Sequence, residues 1–176
     1  MSNTKKYIMT AVTLGLIAMS GALLISLTNL ITKDTIEQNE KNNIESGIKE
    51  VFDLGKNAKI SDGGEVTGYQ YIEHYYSVMA EANTPSLAGL AFRTTGSNMY
   101  GKISLIIGIG VNGDFKGLSI ITNEQTYAAT LVDNYIDPLN DGTREVADVS
   151  CGATYGAKLV RDMVNEVKEA YTSFLY

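Results

Sequence analysis

The sequence predicts an α+β domain, in which a C-terminal helix packs on a small twisted antiparallel sheet, tethered to a membrane by one N-terminal helix. Residues 7–31 carry no charge, and a helix of about 20 residues crosses the roughly 30 Å core of a bilayer. Residues 103–110 and 115–122 form two strand-like stretches around Asn112-Gly113-Asp114, a typical hairpin turn. Apolar residues then recur at helical spacing near the C-terminus: Leu159, Val160, Met163, Val164, Val167, Ala170, Tyr171 and Phe174.

The composition excludes several classes of function. Fourteen Lys and Arg against twenty Asp and Glu give a net charge of −6, which argues against nucleic acid as a partner. One cysteine excludes an internal disulfide, a zinc finger and a cysteine-ligated iron–sulfur cluster. The single histidine, His74, excludes a His-rich metal site. We therefore predict no metal site and no catalytic residue, and any redox chemistry requires an organic cofactor.

The N-terminal third divides into a leader at 1–6, a transmembrane helix at 7–31 and a helical stalk at 32–60. A cleaved signal peptide is the alternative for 7–31, but the apolar run exceeds the usual length and no clear cleavage site follows it. Lys5 and Lys6 place the N-terminus in the cytoplasm by the positive-inside rule. The remaining domain is then extracytoplasmic, on a single-pass protein of the cell (inner) membrane. The stalk carries apolar residues roughly on one helical face: Ile36, Ile44, Ile48, Val51 and Phe52.

The domain at 61–176 begins with a predicted turn, Ser61-Asp62-Gly63-Gly64. Strand-forming residues follow between Val66 and Val78, and a loop around Asn83-Thr84-Pro85 precedes a strand at 87–94. Residues 131–136 predict a short helix that ends at Asp137-Pro138, because the residue before proline avoids the α region. A turn at Asp141-Gly142 then leads to the stretch Asp148–Gly156.

That stretch is the candidate functional site. Thr154 lies at or just before the N-terminus of the last helix, where free backbone N–H groups and the helix dipole favour an anion such as phosphate. Gly152 and Ala153 keep bulky side chains away from the threonine hydroxyl. Ser150 and Lys158 are within reach of a phosphate there. An ordinary capped helix start is the alternative interpretation of the same residues.

Ser150-Cys151-Gly152-Ala153-Thr154 resembles the flavinylation motif of FMN-binding subunits in Rnf and Na⁺-pumping NADH:quinone oxidoreductase complexes. The pattern is Asp, two variable residues, Ser or Thr, Gly-Ala-Thr, any residue, then Ser or Thr. Asp148, Gly152, Ala153 and Thr154 match it, whereas Cys151 replaces the first hydroxyl residue and Gly156 the last. The resemblance is also clear over 101–126 and through 148–167, and weak over 33–48.

The resemblance implies an FMN-binding domain at 61–176, with FMN joined to Thr154 as a phosphoester. Asp148 would shape the turn or be recognised by a flavin transferase, and Gln125, Thr126 and Tyr127 would replace the family's loop against the flavin ring. The chain is then an electron-transfer subunit of a G type, not a complete enzyme. Its partners would be the other membrane subunits of an Rnf-type complex, the flavin transferase and the bilayer. The complex would be an ion-translocating ferredoxin:NAD⁺ oxidoreductase.

Two other classes stay open from the residues alone. Cys151 precedes a helix N-terminus, a setting that lowers a thiol pKa and produces a nucleophile, although no base lies nearby in the sequence. The other class is a membrane-tethered binding domain without flavin. A yellow purified protein would favour flavin, and a colourless protein that reacts rapidly with an alkylating agent would favour the thiol.

Overall fold

A computed structural model describes residues 3–55, 58–80 and 86–174, which form two compact units, Met1–Asn42 and Asn43–Tyr176. Helix α1 spans Asn3–Val51. Its residues up to Asn42 belong to the first unit and the rest belong to the second. Its segment Lys5–Thr28 is long and apolar enough to cross a membrane, and none of its most apolar window is buried. The predicted N-terminal apolar helix is thereby confirmed. Because exposed leucines and isoleucines are costly in water, the segment is suited to a single-pass membrane anchor.

The second unit begins with the last two turns of α1. Ile44, Ile48 and Val51 are buried there, and the helix is followed by a turn in which Leu54 N donates to Lys49 O at 2.9 Å. The predicted helical stalk at 32–60 is therefore too long, since the helix ends at Val51 and a strand begins at Lys59. Ile44, Ile48, Val51 and Phe52 of the stalk's apolar stripe form a packing surface of the folded unit, whereas Ile36 is exposed.

The sheet has five antiparallel strands in the order β1-β2-β3-β4-β5. The α+β class and the antiparallel sheet are confirmed. The predicted loop at Asn83–Pro85 lies outside the described residues. The strand bounds are β1 (Lys59–Glu65), β2 (Ile72–Ala80), β3 (Ser86–Asn98), β4 (Gly101–Gly110) and β5 (Phe115–Asn123).

The turn predicted at Ser61–Gly64 is wrong, because these residues lie inside β1. The pairing register with β2 shifts between Asp62 and Gly64, and Gly64 has a φ of +110°. The Asp62 carboxylate accepts a hydrogen bond from Gly64 N at 3.0 Å. The glycines and the aspartate therefore form a β-bulge, which uses the same backbone chemistry as a turn without ending the strand.

The β4–β5 hairpin is confirmed. Gly113 has a φ of +82°, and Gly110 N donates to Asp114 O at 2.8 Å to close the turn. Along β4, side chains alternate between the two faces of the sheet. Ile103, Leu105, Ile107 and Ile109 belong to one core, whereas Ile106 belongs to the other.

A helix covers each face of the sheet within this unit. The larger core lies under α4 (Thr154–Phe174), whose buried residues include Val160, Met163 and Val167. The predicted C-terminal packing helix is confirmed. The smaller core joins Val78, Ala91 and Ile106 to the last turns of α1. The sheet is thus buried on both faces, and its α4 face carries the candidate site.

The segment between β5 and α4 is more helical than predicted. Helix α2 (Ala128–Leu131) continues through a π-helical turn at Val132–Ile136 into helix α3 (Asp137–Asn140). The predicted end at Asp137-Pro138 is wrong. Asp137 N donates to Val132 O, five residues earlier, so the helix has widened before the proline. Pro138 therefore occupies the first turn of α3, where its missing N–H costs little.

Candidate functional site

Thr154 is the first residue of α4, a helix of 21 residues. Gly152 precedes it with a φ of +85°, the left-handed backbone that ends the loop and aims the chain into the helix. The first hydrogen bond of the helix start runs from Ala157 N to Ala153 O at 3.0 Å. The amides before Ala157 lack an acceptor one turn back in the helix, and the positive end of the dipole lies with them. The predicted placement of Thr154 at a helix N-terminus is confirmed.

A pocket of about 350 Å³ opens beside Thr154, at the lower end of the range for small-molecule sites. It brings together several residues of the predicted site, namely Gln125, Tyr127, Gly152, Ala153 and Thr154. It also includes Tyr100, Leu131, Tyr155 and Gly156. The half-buried Thr154 hydroxyl has no hydrogen-bond partner among the residues that the structure describes. A reactive or ligand-binding hydroxyl requires this freedom.

Small residues keep the pocket open next to the threonine. A Cβ added at Gly156 would lie 2.9 Å from Leu131 Cδ2 and 3.4 Å from Gln125 Oε1. The 2.9 Å contact would make the end of the Leu131 side chain shift, whereas 3.4 Å is an ordinary contact distance. Gly156, which replaces the motif's last hydroxyl residue, therefore allows close packing of α4 against α2 in this chain. A Cβ added at Gly152 would lie 3.3 Å from Thr130 Cγ2.

Three tyrosines surround the mouth of the pocket. The Tyr100 ring lies 5.8 Å from the Tyr127 ring, edge to face, and 5.5 Å from the Tyr155 ring. Tyr127 and Tyr155 are more than half exposed. Their separations suit aromatic contacts, and their faces offer stacking surfaces for a flat ring. Sequence reasoning missed Tyr100 and assigned no role to Tyr155 within the stretch Asp148–Gly156. The available signal for Tyr100 was its place before Gly101 at the start of β4.

Gln125 is the polar group in the wall of the pocket. It is buried, its backbone N donates to Asn123 Oδ1 at 3.1 Å, and its Nε2 donates to Gly101 O. These bonds fix the side-chain amide, so its oxygen is held toward Gly156. Thr126 does not line the pocket, because its hydroxyl and its amide both donate to Tyr100 O, at 3.1 and 2.8 Å.

Asp148, Ser150 and Lys158 lie outside the pocket lining. The Asp148 carboxylate accepts from Ser150 N at 3.3 Å and pairs with Arg144 Nη1 at 3.4 Å. It therefore shapes the loop, one of the two roles predicted for it. Lys158 is exposed, and its Nζ lies 5.7 Å from the centre of the Tyr155 ring. Of these three residues, Lys158 is the one on the helix that Thr154 begins.

Cys151 is buried in the core under α4, with 8% of its surface exposed. Its carbonyl accepts from Asn134 Nδ2 at 3.1 Å. His74, the single histidine of the chain, is on β2 and its Nε2 contacts the Asp62 carboxylate on β1. A nucleophilic thiol requires exposure and a nearby base or cation. The surroundings of Cys151 are those of a structural cysteine, and no observation favours the thiol class.

Residues 1–51 match the family model described as the RnfG N-terminal region. This match supports an RnfG-type subunit. It thereby supports a role in an Rnf-type electron-transport complex, with the other subunits of that complex as partners, and RnfG is a flavin-binding family. The match covers α1, whereas the motif and the pocket lie in the remainder of the chain. No curated protein matches the chain.

Proposed function

We propose that this RnfG-type subunit carries FMN, joined through its phosphate to Thr154 Oγ1, and relays electrons within an ion-translocating ferredoxin:NAD⁺ oxidoreductase of the Rnf type. The observation that supports this most strongly is the free Thr154 hydroxyl, at the N-terminus of a 21-residue helix and beside an aromatic pocket. The helix end favours a phosphate, and the pocket favours a flat, largely apolar ring. FMN combines both groups in one molecule.

Attachment is a phosphoryl transfer to the hydroxyl. A bond forms between Thr154 Oγ1 and the phosphorus of FMN, and the hydroxyl proton is lost. The phosphate must arrive activated, as in a flavin adenine dinucleotide, whose pyrophosphate bond breaks and whose nucleoside monophosphate half leaves with the proton. The partner is therefore a flavin transferase that binds the dinucleotide. The phosphodiester product is negatively charged, and the positive end of the α4 dipole stabilises it.

The chain's own residues bind and orient the cofactor. Gly152 and Ala153 leave room for the phosphate beside Thr154, and Gly156 lets Leu131 close the floor of the pocket. Tyr100, Tyr127 and Tyr155 supply aromatic surface at the mouth. Gln125 presents a fixed amide to the polar edge of a ring. When bound, FMN supplies one-electron and two-electron redox chemistry.

We also propose the topology. Lys5 and Lys6 lie at the N-terminal end of the apolar segment Lys5–Thr28, so the N-terminus is cytoplasmic and the flavin domain extracytoplasmic, at the inner membrane. Protease added to the outside of cells without a wall or outer membrane should cut beyond Lys33. Cleavage confined to inverted vesicles would reverse this topology.

The test of the flavin attachment is Thr154→Val, which removes the hydroxyl while nearly preserving the shape of the side chain. Full chain produced together with a flavin transferase should gain the mass of one FMN less one water, and the variant should gain none. Thr172→Val is the matched control, because Thr172 lies exposed on the same helix and bonds only to Lys168 O, at 2.9 Å. Equal flavin on Thr154→Val and wild type would contradict the proposal. Loss of flavin from both variants would indicate a defect of the helix instead.

A further inference from the structure

The loop before Thr154 is held by side chains. Between Arg144 and Ala153 the chain has no helix or strand, and within this described stretch one backbone pair closes a turn, Asp148 N to Glu145 O at 3.0 Å. Side-chain donors instead bond four loop carbonyls. These bonds are Tyr135 Oη to Val146 O at 2.6 Å, Arg144 Nη1 to Asp148 O at 3.0 Å and to Ser150 O at 3.2 Å, and Asn134 Nδ2 to Cys151 O at 3.1 Å.

Arg144 makes the largest share of these contacts. One nitrogen, Nη1, donates to the carbonyl oxygens of Asp148 and Ser150. It also forms an ion pair with the Asp148 carboxylate at 3.4 Å. The other oxygen of that carboxylate accepts from Ser150 N at 3.3 Å. Arg144 and Asp148 therefore fix both peptide groups on either side of Val149. The side chain of Arg144 is 20% exposed and that of Asp148 58%, so the arginine end of this cluster is packed against the fold while its carboxylate end faces water.

We propose that Arg144 is a positioning residue for flavin attachment: it holds the 148–153 turn in the shape that presents Thr154 Oγ1 to the activated phosphate. This inference rests on the proposed function. Transfer requires the attacking oxygen and the phosphorus to be held close and in line. Cys151 and Gly152 follow the bonded carbonyls directly, and Gly152 carries the positive φ that aims the chain into α4. If the carbonyls of Asp148 and Ser150 were released, that turn would become mobile.

The same contacts assign Asp148 its part in the motif. Its carboxylate is used inside the loop, on Arg144 and on Ser150 N, so its effect on attachment passes through the shape of the turn. Direct recognition of Asp148 by the transferase is the alternative. Variants of Arg144 distinguish these two roles of Asp148, because shaping of the turn requires the arginine and direct recognition by the transferase does not.

The lone cysteine offers a reporter that does not depend on flavin. Cys151 is 8% exposed and lies one residue beyond the bonded carbonyl of Ser150, so alkylation requires the turn to open. In full-length, flavin-free chain in detergent, Arg144→Gln should raise the alkylation rate of Cys151 about tenfold, since bonds to a charged donor are lost. Arg161→Gln is the matched control. It removes the same charge, but Arg161 bonds the Asp162 carboxylate and should leave the rate unchanged.

The second readout is the initial rate of flavin attachment, followed by intact mass with transferase and flavin adenine dinucleotide. Arg144→Gln should lower this rate about tenfold or more. The melting temperature of the folded domain should stay unchanged. Arg161→Gln should match the wild type, and Arg144→Lys should restore part of the rate because it keeps a cationic donor. Arg144→Lys also provides the test if the glutamine variant fails to fold.

Three results would overturn the inference. If Arg144→Gln is alkylated and flavinylated at wild-type rates, Arg144 does not hold the 148–153 turn in place. Faster alkylation with wild-type attachment would show that the shape of the turn does not limit transfer. Slow attachment with unchanged alkylation would assign Arg144 to transferase binding. A wild-type chain that takes no flavin would instead overturn the proposed function, and the positioning role with it.

Discussion

The pocket beside Thr154 has two walls that are fixed in different ways. The strand wall is formed by Tyr100 and Gln125, which lie in the segments 100–101 and 123–126 at the ends of β4 and β5. The loop wall is formed by Gly152 and Ala153, at the end of the loop 144–153. In the strand wall, Glu124 N donates to Lys102 O and Thr126 N to Tyr100 O, both at 2.8 Å. The loop wall depends on Tyr135, Arg144 and Asn134 instead.

The difference concerns how each wall is coupled to the fold. The bonds of the strand wall continue the ladder of the sheet, so the wall opens only when the sheet does. The loop wall has single side-chain anchors, and each can be released while the cores on both faces of the sheet persist. A loop that a transferase must reach benefits from this independence. Substitutions in the strand wall should therefore lower global stability most, whereas substitutions among the anchors of the loop wall should lower it less and mainly affect local opening.

The largest effect should come from Gly101→Ala in the strand wall. Gly101 has a φ of +134°, and its added Cβ would collide with the carbonyl oxygen of Glu124. Backbone strain and the displaced strand end should together lower the free energy of unfolding by about 3 kcal/mol or more. Denaturant unfolding of the full chain, followed by the far-UV signal of the sheet, measures this loss.

Gly142→Ala is the control for the backbone strain alone. Gly142 has a φ of +69°, and nothing lies within 4 Å of an added Cβ. It should cost about 1 kcal/mol. If the two alanine variants were equally destabilised, the close packing of Gly101 against β5 would not contribute, and the two walls would not differ as described.

A smaller effect should come from Tyr135→Phe in the loop wall. The variant loses the 2.6 Å bond to Val146 O, at a cost of about 1–2 kcal/mol near neutral pH. Burial, the largest cause, raises the pKa of Tyr135 to about 12. Between pH 10 and 12 the unfolded chain loses this proton while the folded chain keeps it. Stability therefore falls as pH rises through that window.

The phenylalanine variant should lack this contribution to the alkaline loss. Urea midpoints of both proteins at pH 8 and pH 11 give the comparison, because the other tyrosines and the lysines titrate in both. The difference between the two proteins should shrink at pH 11. A difference that stays constant would show that Tyr135 ionises as readily in the folded chain as in the unfolded chain.

Cys151→Ser should have the smallest effect. Serine has nearly the same size and is the residue that the motif carries at this position. The buried hydroxyl should cost about 1 kcal/mol, and flavin attachment should stay within about twofold of wild type if the thiol has no chemical role. Flavin mass and electron transfer in membranes measure this. Normal flavin loading with lost electron transfer would assign the thiol a role.

The strand wall could be predicted from sequence more fully than the loop wall. Two strand-like stretches around Asn112-Gly113-Asp114 identified the hairpin, and the helical stripe identified α4, because both signals are local. The role of the stalk's apolar residues was missed, since their partner, the second face of the sheet, is distant in sequence. Pro138 was misread because a π-helical turn before it removes the usual steric penalty.

For the site itself, the sequence identified Thr154 and its small neighbours but not what surrounds them. Gly152, Ala153 and Thr154 line one pocket with Gln125 and Tyr127, as expected of a common site, whereas Thr126 turns to a carbonyl. Tyr100 enters the pocket because a β4 end lies beside α4, where Asn98 Nδ2 donates to Tyr155 O at 3.2 Å. Arg144 was not recognised because a side chain that bonds carbonyls has no sequence periodicity.

The most direct test of FMN attachment at Thr154 is fragment mass spectrometry of the protein purified from the membranes of its own host. The peptide that contains Thr154 should carry the mass of FMN less one water, and fragmentation should place it on Thr154 and not on Ser150 or Thr172. Unmodified Thr154 throughout this peptide, in membranes whose Rnf-type complex transfers electrons, would contradict the account.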